Sequence, residues 1–282
     1  MKRDIITSAI GILVLTLVFG ILYPLVITGI SQVAFPGNAN GQQVHVDGKL
    51  VGSQEIGQNF STQVYKNGKP VMKNGEPVTN PDPRYFQPRP SASGANGYDP
   101  SGFTCTTPTC GASSASNLGP SDPRLVGFIP GFNTVDLNGN PSKTNPFANS
   151  SDPYCVPTDK QGNAVISPAP GQKYAKNSDG TYVCSSGTVP ERASAYRQLN
   201  NLSDKTLVPV DAVTASGSGL DPDITVANAE LQAPRVAQAR HVSVAAVRRL
   251  IDQHTNGHPW GFLGEKTVNV LDLNLALNDH HM

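Results

Sequence analysis

An uncharged stretch near the N-terminus constrains this chain more than any other feature of its sequence. Between Ile5 and Phe35 there is no Asp, Glu, Lys or Arg, and Ile10–Ile30 covers the roughly 20 mainly apolar residues that a membrane-spanning helix needs. The rest of the sequence has no comparable run. We therefore predict a membrane anchor over residues 1–35, with its helix at about 10–30, and a soluble region over 36–282.

A cleaved signal peptide is the alternative, with Lys2 and Arg3 as its basic region. The apolar core of a signal peptide is usually about 7–15 residues long, and this run is longer, which favours a retained anchor. Basic residues flank the cytoplasmic end of membrane helices, and Lys49 is the first one after the helix. The predicted localisation is therefore the cell membrane, single-pass, with a cytoplasmic N-terminus and an extracytoplasmic bulk.

Small residues and a proline mark the predicted helix. Thr16 and Gly20 are four residues apart, and so are Thr7 and Gly11; this spacing lets another helix approach closely. Pro24 is expected to kink the helix or free a carbonyl. The helix-packing candidates are Gly11, Thr16, Gly20 and Pro24, although Gly and Pro are also common in membrane helices that pack against nothing.

Composition excludes some functions and predicts long loops. Lys plus Arg and Asp plus Glu balance at 21 each, so no basic field points to nucleic acid. The chain has 27 Gly and 24 Pro, which favours turns and loops. Loop-like insertions are predicted at about 62–83, where the unit KNGxPV occurs twice in hairpin-like form, and at 126–189. A shorter hairpin is predicted around Asp47-Gly48.

The four cysteines fit an oxidising compartment. They are Cys105, Cys110, Cys155 and Cys184, and three pairings are open to them. Pairing Cys105 with Cys110 and Cys155 with Cys184 is favoured because the partners are nearest in sequence. Such bridges suit an oxidising compartment and loops with little core of their own. A zinc site is the alternative, but Cys155 and Cys184 are isolated and have no nearby His.

The C-terminal third has helix signals. Thr225 can cap a helix that starts at Val226, with Asp221 and Asp223 near its positive end. Pro234 is expected to interrupt that helix.

Ser243 can cap a second helix, whose apolar stripe is Val244, Val247, Leu250, Ile251 and His254 and which Gly257 and Pro259 are expected to end. Alternating leucines over Leu271–Leu277 predict a half-buried strand. The predicted fold class is α+β: one N-terminal transmembrane helix, then a single extracytoplasmic α+β domain with loop-rich insertions.

Catalytic motifs are absent from the sequence. No phosphate-binding G-x-x-x-x-G-K-[ST] occurs, and the residues before Ser218 do not fit G-x-S-x-G. Around "DAVTASGSGLDP" (Asp211–Pro222), we predict a short strand at Val210–Thr214 and then a tight turn that leads into the capped helix. The alternative is an anchored envelope protein, either a binding module or a serine hydrolase that uses Ser216 or Ser218 with Asp211.

Five sequence blocks carry a family resemblance. Together with "RVAQAR" (Arg235–Arg240), the stretch Asp211–Pro222 resembles the signature of the C subunit of the bacterial Kdp potassium-transporting P-type ATPase. The other blocks follow the order of that family: "GSQEIGQNF" (Gly52–Phe60), "YFQPRPSA" (Tyr85–Ala92), "SNLGPSDPRL" (Ser116–Leu125) and "VNVLDLNLAL" (Val268–Leu277).

The resemblance implies a non-catalytic accessory subunit of a high-affinity potassium uptake pump, needed for its assembly. It implies three partners besides membrane lipid: a potassium-translocating subunit, a P-type ATPase subunit and a small helical subunit. It also implies a catalytic-chaperone role that raises the ATP affinity of the ATPase subunit. Candidates for a nucleotide contact are Ser116, Asn117, Leu118 and Gly119; no metal or cofactor is expected on this chain alone, and ATP would act through the complex.

Overall fold

The structure is a computed structural model. Its described residues are 2–73, 76–77, 79–91, 113, 118–119, 122, 125, 155–160, 165, 174–184, 188–258 and 261–279. The chain forms two compact units, Met1–Ile56 and Gly57–Met282. The predicted boundary between anchor and soluble domain near residue 36 stays a prediction.

The first unit begins with one long apolar helix. It spans Lys2–Ala34, 33 residues whose most apolar 18-residue window has a mean hydropathy of 2.7, which is long and apolar enough to cross a membrane. The helix is therefore longer at both ends than the predicted 10–30, because Lys2, Arg3 and Asp4 join its first turn. Its segments are α1 (Lys2–Leu17), a π-helical turn (Val18–Leu22) and α2 (Tyr23–Ala34).

Pro24 accounts for the π-helical turn. Proline has no N–H to donate, and in a regular helix its ring would clash with the carbonyl four residues earlier, here that of Gly20. A wider turn over Val18–Leu22 moves this carbonyl away from the ring while the helix continues. The predicted local perturbation at Pro24 thus takes the form of a wider turn.

The first unit ends in a hairpin. A short helix α3 (Pro36–Ala39) leads into β1 (Gln43–Val46), which pairs antiparallel with β2 (Lys49–Ser53). Asp47 and Gly48 connect the strands with φ of 50° and 76°. Two successive positive φ angles suit an Asp-Gly hairpin turn, so the hairpin predicted there is confirmed.

The repeated KNGxPV unit forms hairpins on a stem. The stem is β3 (Ser61–Gln63) paired with β8 (Thr79–Pro81). Between them lie the hairpins β4 (Tyr65–Lys66) with β5 (Lys69–Pro70) and β6 (Met72–Lys73) with β7 (Glu76–Pro77). Asn67 and Gly68 have positive φ, as the predicted turn requires. Most of the predicted insertion at 126–189 lies outside the described residues.

A three-stranded antiparallel sheet and its helices form the core of the second unit. The sheet order is β10 (Thr255–Asn256), β11 (Thr267–Asn269) and β9 (Asp223–Thr225). The described α-helices of this unit are α4 (Val189–Leu199), α5 (Val226–Arg240), α6 (Val244–Gln253) and α7 (Val270–Asp279). Fully buried Ile224, Val236, Ile251, Val268 and Leu273 join β9, β11, α5, α6 and α7 in one hydrophobic cluster. The α+β class is confirmed.

Side-chain caps set the start of three helices. Thr188 begins α4 with a capping box to Glu191. Thr225 accepts the N–H of Asn228 at the start of α5, and Ser243 accepts that of Ala246 at the start of α6. The two caps predicted at Thr225 and Ser243 are confirmed. Helix α6 stops earlier than predicted, since His254 is its C-terminal cap and β10 already precedes Gly257.

The predicted interruption at Pro234 is wrong, because α5 runs unbroken from Val226 to Arg240. Pro234 lies on the exposed side of the helix. The carbonyl of Glu230, which loses its donor, lies on the same side because it is four residues earlier. Water can therefore solvate it, while the opposite face stays packed in the core.

The predicted strand over Leu271–Leu277 is also wrong, since this segment forms α7. The leucine alternation hides a second pattern: Val270, Leu273, Asn274 and Leu277 recur at i, i+3, i+4 and i+7, and all four are buried. The polar Asn274 in that stripe obscured the helical period.

The predicted strand at Val210–Thr214 is wrong as well. A single 3₁₀ turn over Val210–Ala212 takes its place. The turn is closed locally, because the hydroxyl of Thr214 donates to the carbonyl of Val210 at 2.8 Å. Residues Asp211 and Ala212 are buried by this turn, which places the Asp211 carboxylate at the start of α5.

Candidate functional site

One face of α5 carries three buried polar side chains, Asn228, Gln232 and Arg235. With the partly buried cap Thr225 they recur at i, i+3, i+7 and i+10, so they lie along the same side of the helix. Asn228 links two neighbours: its Nδ2 donates to Asp211 at 3.0 Å, and its Oδ1 accepts from the Gln232 amide at 2.9 Å. A buried polar group is stable only when hydrogen-bonded, and this line satisfies its members mutually.

Asp211 provides the negative charge at the N-terminus of α5. Its Oδ2 accepts the backbone N–H of Thr225 at 2.8 Å, and its Oδ1 accepts the Thr225 hydroxyl at 3.0 Å. The sequence assigned this place to Asp221 and Asp223. Instead Asp223 accepts the Thr267 hydroxyl at 2.7 Å within the sheet, and Asp221 pairs with Arg89.

The segment "YFQPRP" is held by side-chain amides from two helices. Gln232 Oε1 accepts the N–H of Gln87 at 2.8 Å, and its Nε2 donates to the carbonyl of the same residue at 3.1 Å. Asn274 of α7 binds the N–H and carbonyl of Phe86 in the same way, at 2.8 and 3.0 Å. Phe86 itself is fully buried in the core. The two side-chain amides therefore bind backbone groups that a neighbouring β-strand would otherwise have to pair.

Arg235 fixes the turn that precedes this segment. It is 4% exposed, and its guanidinium donates to the carbonyls of Pro83 and Tyr85 at 2.8 and 3.0 Å and to Asn200 Oδ1 at 2.9 Å. Burial lowers the pKa of Arg235 to about 10, while nearby Tyr196 and Asp82 act to raise it. Arg235 remains a cation at neutral pH, and its task is to bind backbone carbonyls.

The loop "SGSG" is a structural turn. Ser216 is buried, and its Oγ accepts the backbone N–H groups of Gly219 at 3.0 Å and Asp221 at 3.2 Å. Ser218 Oγ accepts the N–H of Leu220 at 3.0 Å. Both hydroxyls are thus engaged with the backbone of their own loop, and Asp211 caps a helix. The two serines and the carboxylate named for the serine-hydrolase alternative therefore all make bonds that stabilise the fold.

Other sequence blocks contact this loop. The N–H of Ser216 donates to the carbonyl of Pro90 at 2.9 Å. The hydroxyl of Ser91 donates to the carbonyl of Gly219 at 2.6 Å. Gly57 donates its N–H to the carbonyl of Leu220 at 2.9 Å, and a Cβ on Gly57 would overlap the carbonyl of Asp221. Only glycine lets the two backbones approach this closely.

These blocks line a cleft of about 520 Å³. The wall is partly apolar, with Pro81, Pro88 and Leu199 among its residues. Its charged members are Arg89, Arg192 and Asp221. Arg89 pairs with Asp221 at 2.7 Å, with 26% and 37% of the two side chains exposed.

Arg192 contributes a second guanidinium to the cleft. It belongs to α4, and it donates to the carbonyl of Val213 at 3.1 Å. Burial lowers the pKa of Arg192, and neighbouring Glu191 partly opposes this shift. Sequence reasoning missed Arg192, and also Tyr196 and Gln232, because their partners lie far away along the chain. The only local signal is the polar spacing within α5.

The predicted nucleotide segment is mostly outside the described residues. Ser116 and Asn117 lie there, while Leu118 and Gly119 are described. Gly119 accepts the N–H of Asp122 at 2.9 Å in a local turn. Neither Leu118 nor Gly119 is among the residues that line the cleft. The nucleotide contact stays a prediction.

The helix-packing candidates lie on the exposed apolar helix. A Cβ on Gly20 would lie 3.8 Å from the Thr16 methyl group, so these two residues are neighbours on successive turns. A Cβ on Gly11 would meet no atom within 4 Å. Pro24 is the second residue of α2, directly after the π-helical turn and Tyr23. Their packing against a partner stays a prediction.

Cys155 and Cys184 form a disulfide, one of the two bridges that the sequence predicts. A small second cluster surrounds it, in which Tyr174 and Tyr182 meet edge to face at 5.6 Å. Cys105 and Cys110 lie outside the described residues. In the part of the chain that the structure describes, no group of three or more His, Cys, Asp or Glu side chains is placed to hold a metal ion.

Comparisons with known proteins agree with the resemblance. The sequence profile of the family described as "K+-transporting ATPase, c chain" matches residues 5–159 and 158–279. The "Potassium-transporting ATPase KdpC subunit" of Mycobacterium bovis (strain BCG / Pasteur 1173P2) is 37% identical over 278 residues, 99% of each chain. That of Streptomyces avermitilis is 34% identical over 269 residues, 95% of this chain and 90% of the relative.

A third relative with the same description comes from Koribacter versatilis. It is 33% identical over 278 residues, which cover 99% of this chain and 95% of the relative. The matched regions include the apolar helix and every block that lines the cleft or holds "YFQPRP". The chain therefore belongs to the KdpC family, the c chain of the potassium-transporting ATPase.

Proposed function

We propose that this chain is a non-catalytic accessory subunit that stabilises the assembled potassium-transporting ATPase. The observation that supports it best is the exposure of the helix Lys2–Ala34. Its most apolar 18-residue window has no residue buried within the chain. An apolar surface of this size is stable only in lipid or against another membrane helix. The serines and carboxylate of the alternative hydrolase, in contrast, are engaged in structural bonds.

The proposed partners are the potassium-translocating subunit, the P-type ATPase subunit and the small helical subunit. The apolar helix would contact them in the bilayer through the side of Thr16 and Gly20, and surrounding lipid would cover its other faces. Charge bias supports a cytoplasmic N-terminus, since Lys2 and Arg3 precede the helix. The bulk of the chain would then meet the extracytoplasmic face of the translocating subunit.

This topology also bears on ATP. A domain outside the cell membrane does not meet cytoplasmic ATP, so the chain would raise the ATP affinity of the ATPase subunit only by holding the complex together. In this proposal the chain itself has no resident cofactor. A direct contact at Ser116–Gly119 would require the opposite orientation of the helix.

The test is co-purification of the tagged full-length chain with its proposed partners in mild detergent, combined with potassium-stimulated ATPase activity. The matched variant replaces residues 2–34 with an unrelated single-pass helix of equal length and orientation. We expect the native chain to recover all partners and the swapped chain to lose them along with activity. Recovery of the native chain alone would contradict the proposal.

Orientation is tested separately on the same chain. A C-terminal alkaline phosphatase fusion is active only outside the cytoplasm, and a C-terminal green fluorescent protein is fluorescent only inside it. We expect phosphatase activity without fluorescence. The reverse pattern would contradict the extracytoplasmic placement and would restore the direct ATP contact.

A further inference from the structure

The cleft in the second unit has an excess of positive charge. Arg89 and Arg192 both line it, whereas Asp221 is the only acidic residue that lines it in the described part of the chain. Asp221 already pairs with Arg89 at 2.7 Å. Arg192 donates to the backbone carbonyl of Val213, and Glu191, the carboxylate that acts on its pKa, does not line the cleft. Inside the cleft, an incoming anion would therefore neutralise the charge of this half-buried guanidinium.

Two orphaned polar atoms lie in the same wall. Arg89 Nε and Gln58 Oε1 are buried, and neither has a hydrogen-bond partner among the described residues. An unpaired buried donor or acceptor costs about 1–3 kcal/mol. A small rotation of either side chain towards a ligand would give its atom a partner. Arg89 Nε is a hydrogen-bond donor and Gln58 Oε1 is an acceptor. Together they can bind the carbonyl and the N–H of a peptide backbone.

The chain already recognises a peptide in this way. Gln232, which also lines the cleft, binds the N–H and the carbonyl of Gln87 with its side-chain amide. The apolar part of the wall includes Pro81, Pro88 and Leu199, which suit the body of an extended segment. Charge, orphaned atoms and apolar wall therefore favour a peptide that carries a carboxylate over a free inorganic anion.

We propose that this cleft binds an extended acidic segment of a partner subunit, with the carboxylate of an Asp or Glu on Arg192. The proposal rests on the subunit function proposed above and adds the place and chemistry of one contact. Arg192 provides the charge, Arg89 and Gln58 the bonds to the peptide backbone, and the prolines the apolar surface. The segment is held in an extended form, as "YFQPRP" is held beside it.

The test is photo-crosslinking within the purified complex. Ala195 lines the cleft and is exposed, so it is replaced by p-benzoyl-phenylalanine in the full-length chain. Irradiation followed by mass spectrometry should identify a partner segment that contains Asp or Glu. The segment's own Asp→Asn or Glu→Gln substitution should then lower the yield at least about fivefold.

Arg192→Gln and Arg197→Gln form a matched pair. Both arginines are half-buried on α4, and each donates to one backbone carbonyl, Val213 or Thr206. Only Arg192 lines the cleft. We expect Arg192→Gln to lower the crosslink yield at least about fivefold and Arg197→Gln to change it less than about twofold. Arg192→Lys, which keeps the charge, should retain most of the yield.

One readout does not depend on the folding of a variant. Raising salt from about 0.1 to 0.5 M shortens the electrostatic screening length, which weakens attraction between charges. The yield of the Ala195 crosslink should therefore fall severalfold. A crosslink to lipid, to this chain itself or to an uncharged segment would overturn the inference, and so would equal behaviour of the two arginine variants. If the complex co-purifies but no crosslink forms at Ala195, only the proposal about the cleft is refuted. Absence of the complex refutes both proposals.

Discussion

The side-chain amide of Gln232 forms hydrogen bonds with both backbone groups of Gln87, 145 residues earlier in the chain. Asn274 does the same for Phe86 across 188 residues. An isolated extended segment is thereby fixed between α5 and α7 without a neighbouring strand. This segment forms one wall of the cleft, so the shape of the cleft depends on two amide side chains.

Gln232→Leu should therefore destabilise the protein strongly. Leucine keeps much of the volume but leaves the N–H and carbonyl of Gln87 unpaired, and we expect a loss of about 2–4 kcal/mol in the free energy of unfolding. Gln238→Leu, at an exposed position on the same helix, should change it by less than about 0.5 kcal/mol. Chemical unfolding of the full-length protein in detergent measures both, and equal effects would contradict the role given to Gln232.

Gly57→Ala tests the close approach of two backbones. The new methyl group would overlap the carbonyl of Asp221, so the loop must move, at about 1–3 kcal/mol. Gly217→Ala in that loop meets no atom within 4 Å and should be neutral or slightly stabilising. Hydrogen exchange of residues 216–221 should accelerate only in Gly57→Ala. Unchanged exchange would show that the loop does not depend on this contact.

Pro234→Ala should stabilise the protein. Alanine restores the N–H that α5 lacks and suits a helix interior better than proline, by about 3 kcal/mol in model helices. Because Pro234 is exposed and water can reach the freed carbonyl, we expect about 1–3 kcal/mol. Thermal unfolding in detergent checks the sign. A lower midpoint for Pro234→Ala would mean that the proline ring makes a contact that outweighs the helical bond.

Asp82→Asn should change the response to acid. The hydrogen bonds from the Arg84 side chain hold the pKa of Asp82 below its usual value, despite burial of the carboxyl. A carboxylate whose pKa is lowered by folding stabilises the folded state, and this stabilisation is complete above the ordinary pKa of about 4. The stabilisation is lost as the pH falls through the lowered pKa of the folded state. Since the Arg84 side chain is 59% exposed, the contribution is about 1 kcal/mol.

Unfolding free energies at pH 7 and pH 3 measure this contribution. Asp82→Asn should lower stability at pH 7 and show a smaller drop on acidification than the native protein does. Asp252→Asn, on the exposed side of α6, is the matched control and should follow the native protein at both pH values. A drop of native size in Asp82→Asn would contradict the assignment.

Local chemistry explains which elements the sequence predicts. Thr225 and Ser243 cap their helices through N–H groups only three residues away, so a short window contains the whole signal. The turn at Asp47-Gly48 is equally local, because it needs two residues that accept positive φ.

Long-range partners explain what the sequence did not predict. Asn274 interrupts an apolar stripe because it binds Phe86, and without that partner α7 resembles an alternating strand. Asp211 caps α5 from a 3₁₀ turn 14 residues before Thr225. The cleft combines Arg89 and Arg192, which no local pattern connects. These features depend on tertiary contacts, which short-range spacing does not encode.

The π-helical turn at Val18–Leu22 has a consequence for how the membrane helix can be surrounded. In a regular α-helix, Gly11 and Gly29 would share a face, since their separation amounts to about five full turns. A π turn adds the equivalent of one residue, which rotates everything after it by about 100°. The two glycines therefore look out in different directions. A single span with such a twist can bind one neighbour in one leaflet and another neighbour in the opposite leaflet.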